Sequence, residues 1–358
     1  MSATAELAAS NLSDAPAPVI ARVRRSRRRR AVRRTSVVLV LVSLVLGAIA
    51  VTLMFGQRFV PAADVLRVIA GEQVPGASFV VGELRLPRAI MALVAGLSFG
   101  LAGSAFQTLL RNPLASPDIV GITSSASAAA AFAIITLGLS GFAVSAMAVT
   151  AGVVTSLAIY LLAYRGGVAG TRLILIGIGV AAMMQSVIAA QLDKATGSEA
   201  VSAIRWLTGS LNNSRWQDVN LAGIALLVLA PIILWQASRL ETSRLGDDTA
   251  AALGVRVEWT KLIVIVCSVG LVSFATAATG PIAFVAFLSG PIVARLVGAG
   301  SSLLLPAALV GALMVLGADF AGQHAFDTRL PAGVVTGALG APYLLYLIAR
   351  VNRVGGSQ

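Results

Sequence analysis

Residues 22–55 decide the class of fold. The stretch RVRRSRRRRAVRR, residues 22–34, carries nine arginines and is followed, after Thr35, by the apolar run SVVLVLVSLVLGAIAVTLMF, residues 36–55. About 20 mainly apolar residues are enough to cross the hydrocarbon core of a bilayer as a helix. Arginines beside such a run hold that end of the helix in the cytoplasm. We therefore predict that the chain is embedded in a membrane with its N-terminus inside the cell.

The arginine-rich run allows other interpretations. Such a run can bind nucleic acid or attract anionic lipid. Because it directly precedes an apolar run, we expect membrane lipid as its partner and no nucleic acid. A cleaved signal peptide is disfavoured because a signal core has only about 7–15 apolar residues. We expect residues 1–35 to form a disordered, arginine-rich cytoplasmic N-terminus.

The composition extends the membrane assignment to the whole chain. Of 358 residues, 57% are hydrophobic and 12% are charged, whereas soluble domains carry roughly 25% charged residues. We predict an all-α membrane protein with a single transmembrane domain of about ten helices over residues 36–353. The predicted spans are 36–55, 89–110, 119–139, 143–163, 173–192, 219–237, 262–279, 281–298, 302–318 and 332–349.

The basic residues predict the orientation of these spans. Ten spans that begin inside also end inside, which places 19 of the 27 lysines and arginines inside and 8 outside. This asymmetry follows the positive-inside rule. We expect a multi-pass protein of the cell (cytoplasmic or inner) membrane with both termini in the cytoplasm.

One polar stretch lies between the sixth and seventh spans, on the predicted inner side. It reads GDDTAAALGV, residues 246–255. Its two aspartates suit the first turn of a helix, and Gly254 suits a left-handed helix exit. A short helix with little to bury there is a surface for another protein to hold. The residues that define it are Gly246, Asp247, Asp248, Thr249, Ala250, Leu253 and Gly254.

The second span ends in a loop that its sequence makes stiff. The loop reads RNPLASPD, residues 111–118, and its prolines, Asn and Asp favour turns. Gln107 lies just before it, inside the span. A glutamine in hydrocarbon needs either an interhelical hydrogen bond or a wet path, and both alternatives also hold for Gln185 in the fifth span. The loop, with Asn112 and Leu114, is either an ordinary connection or a gate at the inner mouth of a path.

Two arginines mark the outer end of the second span. Arg85 and Arg88 flank Leu-Pro, which fixes them as a positive pair. They are either interfacial anchors whose charged heads reach water or a docking point for acidic residues of an outside partner. Asp319, at the edge of the ninth span, is either an intramembrane acid with a function or a residue that faces water.

Several kinds of chemistry are missing from the sequence. It has no Gly-x-x-x-x-Gly-Lys-Ser/Thr loop for nucleotide phosphates, and no paired carboxylates or nucleophile–base arrangement within a span. The single Cys267 and the single His324 cannot by themselves form a disulfide or a metal site. We therefore expect a chain that is not an enzyme, that holds no metal or cofactor, and that takes any energy of ATP hydrolysis from a separate protein.

Together these motifs resemble one family of transport proteins. From the first span to the C-terminus the chain is similar to the permeases of type II ATP-binding cassette (ABC) importers for ferric siderophores, haem and cobalamin. The motifs that carry the resemblance are Arg85-Leu-Pro-Arg88, Gln107, Asn112-Pro-Leu-Ala-Ser-Pro117, Leu245-Gly-Asp-Asp-Thr-Ala250, Leu253-Gly254, Gly280-Pro-Ile-Ala-Phe-Val285, and Leu330-Pro-Ala-Gly-Val-Val-Thr336 with Gly340-Ala-Pro342.

The resemblance implies a set of partners. It implies a second permease, identical or paralogous, a dimer of cytoplasmic ABC ATPases that bind ATP and Mg²⁺, and an extracytoplasmic siderophore-binding protein. In such a complex 247–253 would be the coupling helix that docks in an ATPase cleft. Arg85 and Arg88 would receive glutamates of the binding protein, and Asn112 and Leu114 would line the cytoplasmic gate.

The substrate is the least constrained expectation. Gly290-Pro291 stands where many relatives have Pro-His, and this variant resembles the enterobactin-type permeases. We therefore expect ferric siderophore chelates, transported whole, with cobalamin or haem as alternatives. Gln323 and Arg329 depart from the family pattern at the outer face. A transporter driven by an ion gradient is the alternative from a different class, and it predicts buried acids at mid-membrane.

Overall fold

A computed structural model describes residues 17–118, 121–164, 170–298 and 302–355 of the chain. The regular elements in these ranges are helices, as predicted. Three short ones, α2, α7 and α9, lie in segments that were predicted to connect spans. The helices are α1 Ala17–Met54, α2 Ala62–Ile69, α3 Leu86–Leu109 (continuous with a π-helical stretch Val80–Arg85), α4 Ile122–Ile135, α5 Phe142–Ala163, α6 Gly170–Lys194, α7 Gly197–Leu207, α8 Trp216–Trp235, α9 Ala237–Ser243, α10 Asp247–Ala252, α11 Val257–Thr279, α12 Val285–Val297, α13 Leu304–His324 and α14 Ala332–Gly355.

Ten of these helices correspond to the ten predicted spans. In the described residues, seven helical segments are long and apolar enough to cross a membrane, and three shorter apolar segments accompany them. Two of the predicted lengths are wrong. The third span, predicted as 119–139, is the 14-residue α4, and the eighth, predicted as 281–298, is the 13-residue α12. Both are shorter than the roughly 20 residues that a straight crossing requires.

The connection before α12 is longer than the two-residue turn that Gly280-Pro281 suggested. The chain leaves α11 through Gly280, with φ 70°, and enters α12 through Phe284, with φ 65°. Between them it packs against the segment after α7, where the Ser210 amide donates to the Thr279 carbonyl at 2.7 Å. A side chain at Gly280 would overlap the Trp206 carbonyl, so glycine is required there.

The first helix begins far before the apolar run. The prediction of disorder over residues 1–35 is wrong for residues 17–35, which continue α1, and residues 1–16 lie outside the described residues. Arg33 fixes this extension, because its Nε donates to the Leu296 carbonyl at 2.9 Å and its Nη2 to the Arg295 carbonyl at 3.3 Å. Carbonyls at a helix C-terminus attract such a cation. We call the end of the bundle with Arg33 and α10 the arginine-rich end.

The central helix is α3. In its most apolar stretch 83% of the residues are buried, against 17% in α6. It packs against α11, α12 and α13. Gly96 and Gly100 lie against the backbone of α13, and Gly103 lies against Ala286 of α12, with no space for a side chain. Small residues allow this close approach, which supplies the van der Waals contact that holds helices together in lipid.

A methyl group added at the α3–α13 contact should destabilise the fold. Gly100→Ala places a Cβ against the backbone of Ala307 and Ala308, and overpacking of this kind costs about 1–3 kcal/mol. We expect a lower melting temperature in detergent. The matched control is Gly179→Ala on α6, where a Cβ meets no neighbouring atom within 4 Å. Equal melting temperatures for the two variants would contradict the packing argument.

Candidate functional site

The predicted short polar helix is present as α10. Gly246 precedes it with φ 112°, and Gly254 follows it with φ 84°. At its end the Val255 amide donates to the Ala250 carbonyl at 3.0 Å, and the Gly254 amide donates to the Ala251 carbonyl at 2.9 Å. This pair of bonds is the Schellman motif, which needs a left-handed residue at the position of Gly254. Local sequence alone therefore determines the ends of this helix.

The two faces of α10 differ. Ala250 is buried against the chain, whereas Asp248 and Thr249 are exposed. Leu253, just after the helix, is 63% exposed. A large apolar side chain in water beside polar ones is typical of a surface that binds another protein. The exposed face is therefore available to a partner.

Asp247 joins α10 to two other parts of the chain. Its Oδ1 is paired with the Arg111 guanidinium, in the loop after α3. Its Oδ2 accepts a hydrogen bond from Lys261 Nζ, near the start of α11, at 2.7 Å. We call these three residues the Asp247 bridge. Arg111 and Lys261 were predicted only as inner positive charges, and Lys261 is notable in the sequence as one of just two lysines.

The bridge is charged at physiological pH, and its exposed Arg111–Asp247 pair contributes little stability. Partial burial acts to raise the pKa of Asp247, but Lys261 and Arg111 outweigh it and hold that pKa below its ordinary value. Stability from a lowered carboxyl pKa is present above the unfolded value of about 3.9 and is lost as the pH falls through the folded value. The side chains of Asp247 and Arg111 are 44% and 41% exposed, and such ion pairs contribute under about 1 kcal/mol. The Arg111–Asp247 pair therefore serves to connect elements rather than to stabilise them, whereas Lys261, whose side chain is 10% exposed, depends on its carboxylate partners.

The loop after α3 is a compact turn, as its sequence predicted. The Asn112 side-chain Oδ1 accepts a hydrogen bond from the Leu114 amide at 2.9 Å, and the Asn112 amide donates to the Gln107 carbonyl at 3.1 Å. Thr123, in the first turn of α4, donates to Asp118 at 2.6 Å and closes the far side. Leu114 packs against Phe287 and Leu288 of α12. The loop thus connects the Asp247 bridge to α12.

The two intramembrane glutamines have different environments in the structure. Gln107 is 8% exposed, and its Nε2 donates to the Phe287 carbonyl at 2.8 Å, so the interhelical hydrogen bond is the alternative that the structure shows. A side chain at Gly290 would overlap Gln107, so the glycine provides the space. Gln185 is exposed on α6. Its role on a path stays a prediction.

Arg85 and Arg88 are both partly buried and both have partners within the chain, and their role in docking a partner protein stays a prediction. Arg88 makes two 2.7 Å hydrogen bonds to the carboxylate of Asp319, and the two side chains are 15% and 3% exposed. Arg85 Nη1 donates to the carbonyls of Leu53 and Met54 at the end of α1, at 2.7 and 3.0 Å. Both guanidinium groups have partners within the chain. Asp319 is therefore a buried, paired carboxylate rather than a residue that faces water.

A large cavity lies at the end of the bundle opposite the arginine-rich end. Its volume is about 1770 Å³, and Arg85 and Arg88 line part of it. Three exposed arginines, Arg205, Arg215 and Arg329, line it as well. The accessible positive charge at this end therefore includes residues beyond the predicted pair.

The structure is a bundle of ten apolar helices. The exposed short helix α10 is joined by the Asp247 bridge to the turn that follows α3, the most buried helix. This arrangement is that of a multi-pass transport permease. The comparison of sequences agrees with this class. The chain belongs to the FecCD transport family, which its residues 40–350 match.

Known relatives support the assignment. The chain is 40% identical to the ferric enterobactin transport system permease protein FepG of Escherichia coli K12, over 81% of this chain and 88% of that protein. It is 38% identical to the achromobactin transport system permease protein CbrC of Dickeya dadantii, over 86% and 89%. A solved metal-chelate type ABC transporter in an inward-facing conformation has a TM-score of 0.79 and 27% identity, over 88% of this chain and 99% of that one. The chain is thus similar to ABC transporter permeases over most of its length.

Breaking the Arg88–Asp319 pair should strongly destabilise the protein. Asp319→Leu leaves a buried guanidinium without its partner, and removing one member of a buried pair costs about 3–5 kcal/mol. Replacing both members, as Arg88→Met with Asp319→Leu, leaves no unpaired charge. Thermal unfolding in detergent should therefore show the double variant to be more stable than Asp319→Leu alone. A double variant that is less stable than both single variants would contradict this account.

Proposed function

We propose that this permease carries ferric siderophore chelates across the cell membrane into the cytoplasm, driven by separate ABC ATPases. Support for the substrate class comes from relatives that are 40% and 38% identical to the chain over the aligned residues and are named for ferric enterobactin and achromobactin transport. Gly290, which leaves space for Gln107, belongs to the Gly-Pro variant that resembles the enterobactin-type permeases. The chelate would supply all the ligands of the iron, and the path would hold it only weakly, so that it can leave.

The observation that carries the mechanism is the Asp247 bridge. The ATPase would hold the exposed face of α10, around Asp248 and Leu253. When the ATPases move, α10 moves with them, and Arg111 passes this displacement to the loop that contains Asn112 and Leu114. Because Leu114 packs on α12, the displacement reaches a helix of the core. This is a rigid-body switch that acts through one ion pair.

The same proposal assigns the remaining partners. ATP and Mg²⁺ would be bound by the ATPase dimer, since the chain has no phosphate-binding loop. The arginine-rich end would face the cytoplasm, as the positive-inside rule requires. An extracytoplasmic binding protein would dock at the opposite cavity on Arg205, Arg215 and Arg329, beside Arg85 and Arg88, which line the same cavity. A second permease, identical or paralogous, would complete the path.

Neutralising Asp247 should uncouple transport from ATP hydrolysis. Asp247→Asn removes the charge that holds Arg111 and Lys261. Because the Arg111 pair is exposed and the nearly buried Lys261 keeps Glu258 at 3.4 Å, we expect a folded chain with a modest fall in melting temperature. We expect the complex reconstituted in liposomes to keep hydrolysing ATP while chelate uptake falls several-fold. Uptake at the wild-type rate would contradict the role of the bridge.

Two variants control this experiment. Glu241→Gln breaks another surface ion pair, Glu241–Arg244, which lies outside the bridge and outside the face assigned to the ATPase, and it should leave uptake unchanged. Leu253→Asp places a charge on the exposed face and should reduce co-purification of the ATPase, which Asp247→Asn should not do. The three variants together distinguish loss of ATPase docking from loss of the movement that the Asp247 bridge passes to the loop after α3.

The substrate is tested by uptake in a strain that lacks this permease. Restored expression should restore uptake of iron from a ferric siderophore panel that includes ferric enterobactin, but not uptake of haem or cobalamin. Uptake of cobalamin or haem alone would reject the siderophore assignment. Transport by the chain alone in liposomes, without ATP or an ATPase, would instead support a transporter driven by an ion gradient.

A further inference from the structure

A second cavity lies at the arginine-rich end, between the ends of α8 and α11. Its volume is about 520 Å³. It is separate from the Asp247 bridge but adjoins Gly254 at the exit of α10. The residues that line it are Trp235, Gln236, Arg239, Gly254, Arg256, Trp259, Thr260 and Ile263.

Two helical faces build the walls of this cavity. On one side Arg256, Trp259 and Thr260 follow the spacing that brings residues onto a single face of a helix. On the other side Arg239 lies over the ring of Trp235 at 5.3 Å, and its Nη1 donates to Gln236 Oε1 at 2.9 Å. Two guanidinium groups, one from each wall, therefore border the same space.

Gln236 points to a ligand that accepts hydrogen bonds. Its side chain is completely buried, and within the described part of the chain its Nε2 has no hydrogen-bond partner. Leaving a buried donor unpaired costs about 1–3 kcal/mol. With a rotation of the Gln236 side chain, an acceptor that enters the cavity would satisfy this donor, and the acceptor would meet the positive charge of Arg239 and Arg256. Phosphate oxygens provide both the acceptors and the negative charge.

The position of the cavity identifies the source of the phosphate. Trp235 is the last residue of α8, and Trp259 lies in the first turn of α11, so both stand where a membrane span ends. They are 73% and 63% exposed. Tryptophans are enriched at the level of the lipid headgroups, and basic pockets between helices on the cytoplasmic side hold anionic headgroups.

We propose that this cavity binds the phosphate of an anionic phospholipid from the inner leaflet. Arg239 and Arg256 attract the headgroup, Gln236 donates a hydrogen bond to it, and the two tryptophans flank the site at the membrane surface. Because Gly254 is part of the wall, a bound headgroup also fixes α10 against α8 and α11. The lipid would then be a structural component of the joint that the ATPase moves.

Native mass spectrometry of the full-length chain purified in detergent tests this proposal. Added phosphatidylglycerol should be retained at one molecule per chain in preference to phosphatidylcholine. Two arginines near the surface each contribute a factor of about five to the attraction, so Arg239→Gln with Arg256→Gln should weaken retention about 30-fold. Arg256→Gln alone keeps the Arg239–Gln236 bond and should weaken it about five-fold.

The matched control removes two arginines elsewhere at the same end. Arg27→Gln with Arg28→Gln neutralises two exposed residues of α1 and should leave retention unchanged. Equal loss in both double variants would show non-specific attraction and overturn the proposal. Equal binding of phosphatidylcholine would overturn it too. If millimolar inorganic phosphate saturates the site and phosphatidylglycerol binds no more tightly than phosphate, the site would be assigned to free phosphate instead.

Discussion

The close contact of α3 with α12 and α13 is the constraint on which the rest of the structure depends. In lipid, apolar side chains gain nothing by leaving their surroundings, so helices are held by packing and internal hydrogen bonds. Gly96, Gly100 and Gly103 let α3 approach the backbones of its neighbours. The same helix carries Arg88 near one end and Gln107 near the other, so its position places the functional groups at both faces of the bundle.

Two ion pairs at opposite ends of α3 differ in burial. This difference makes one end of the molecule fixed and allows the other end to rearrange. The Arg88–Asp319 pair is almost completely buried and bidentate. An alternative arrangement would leave a charge in an apolar interior, so that end is held in a single geometry. The Arg111–Asp247 pair is about two-fifths exposed. Water can replace either partner at small cost, so this end can rearrange while the chain stays folded.

The sequence predicted features that local residue patterns determine. Ten apolar segments and the glycine-bounded helix α10 could be recognised because their signals lie within about 20 residues. The lengths of α4 and α12 could not, because left-handed residues at Gly121 and Phe284 delay their starts, and α4 also ends four residues before its predicted end. Nor could the partners of the arginines be recognised. Asp319 is 231 positions from Arg88, and Asp247 is 136 from Arg111, so only the packing of the helices reveals which charges meet.

The anchoring of α1 has a practical consequence for expression and engineering. The family match begins at residue 40, and a chain shortened to that boundary would keep most of the first span. It would lose Arg33, and with it both hydrogen bonds to the carbonyl end of α12. The part of the chain that looks dispensable in a family comparison therefore fastens a core helix, and affinity tags at this end are better added before residue 17 than in place of residues 17–39.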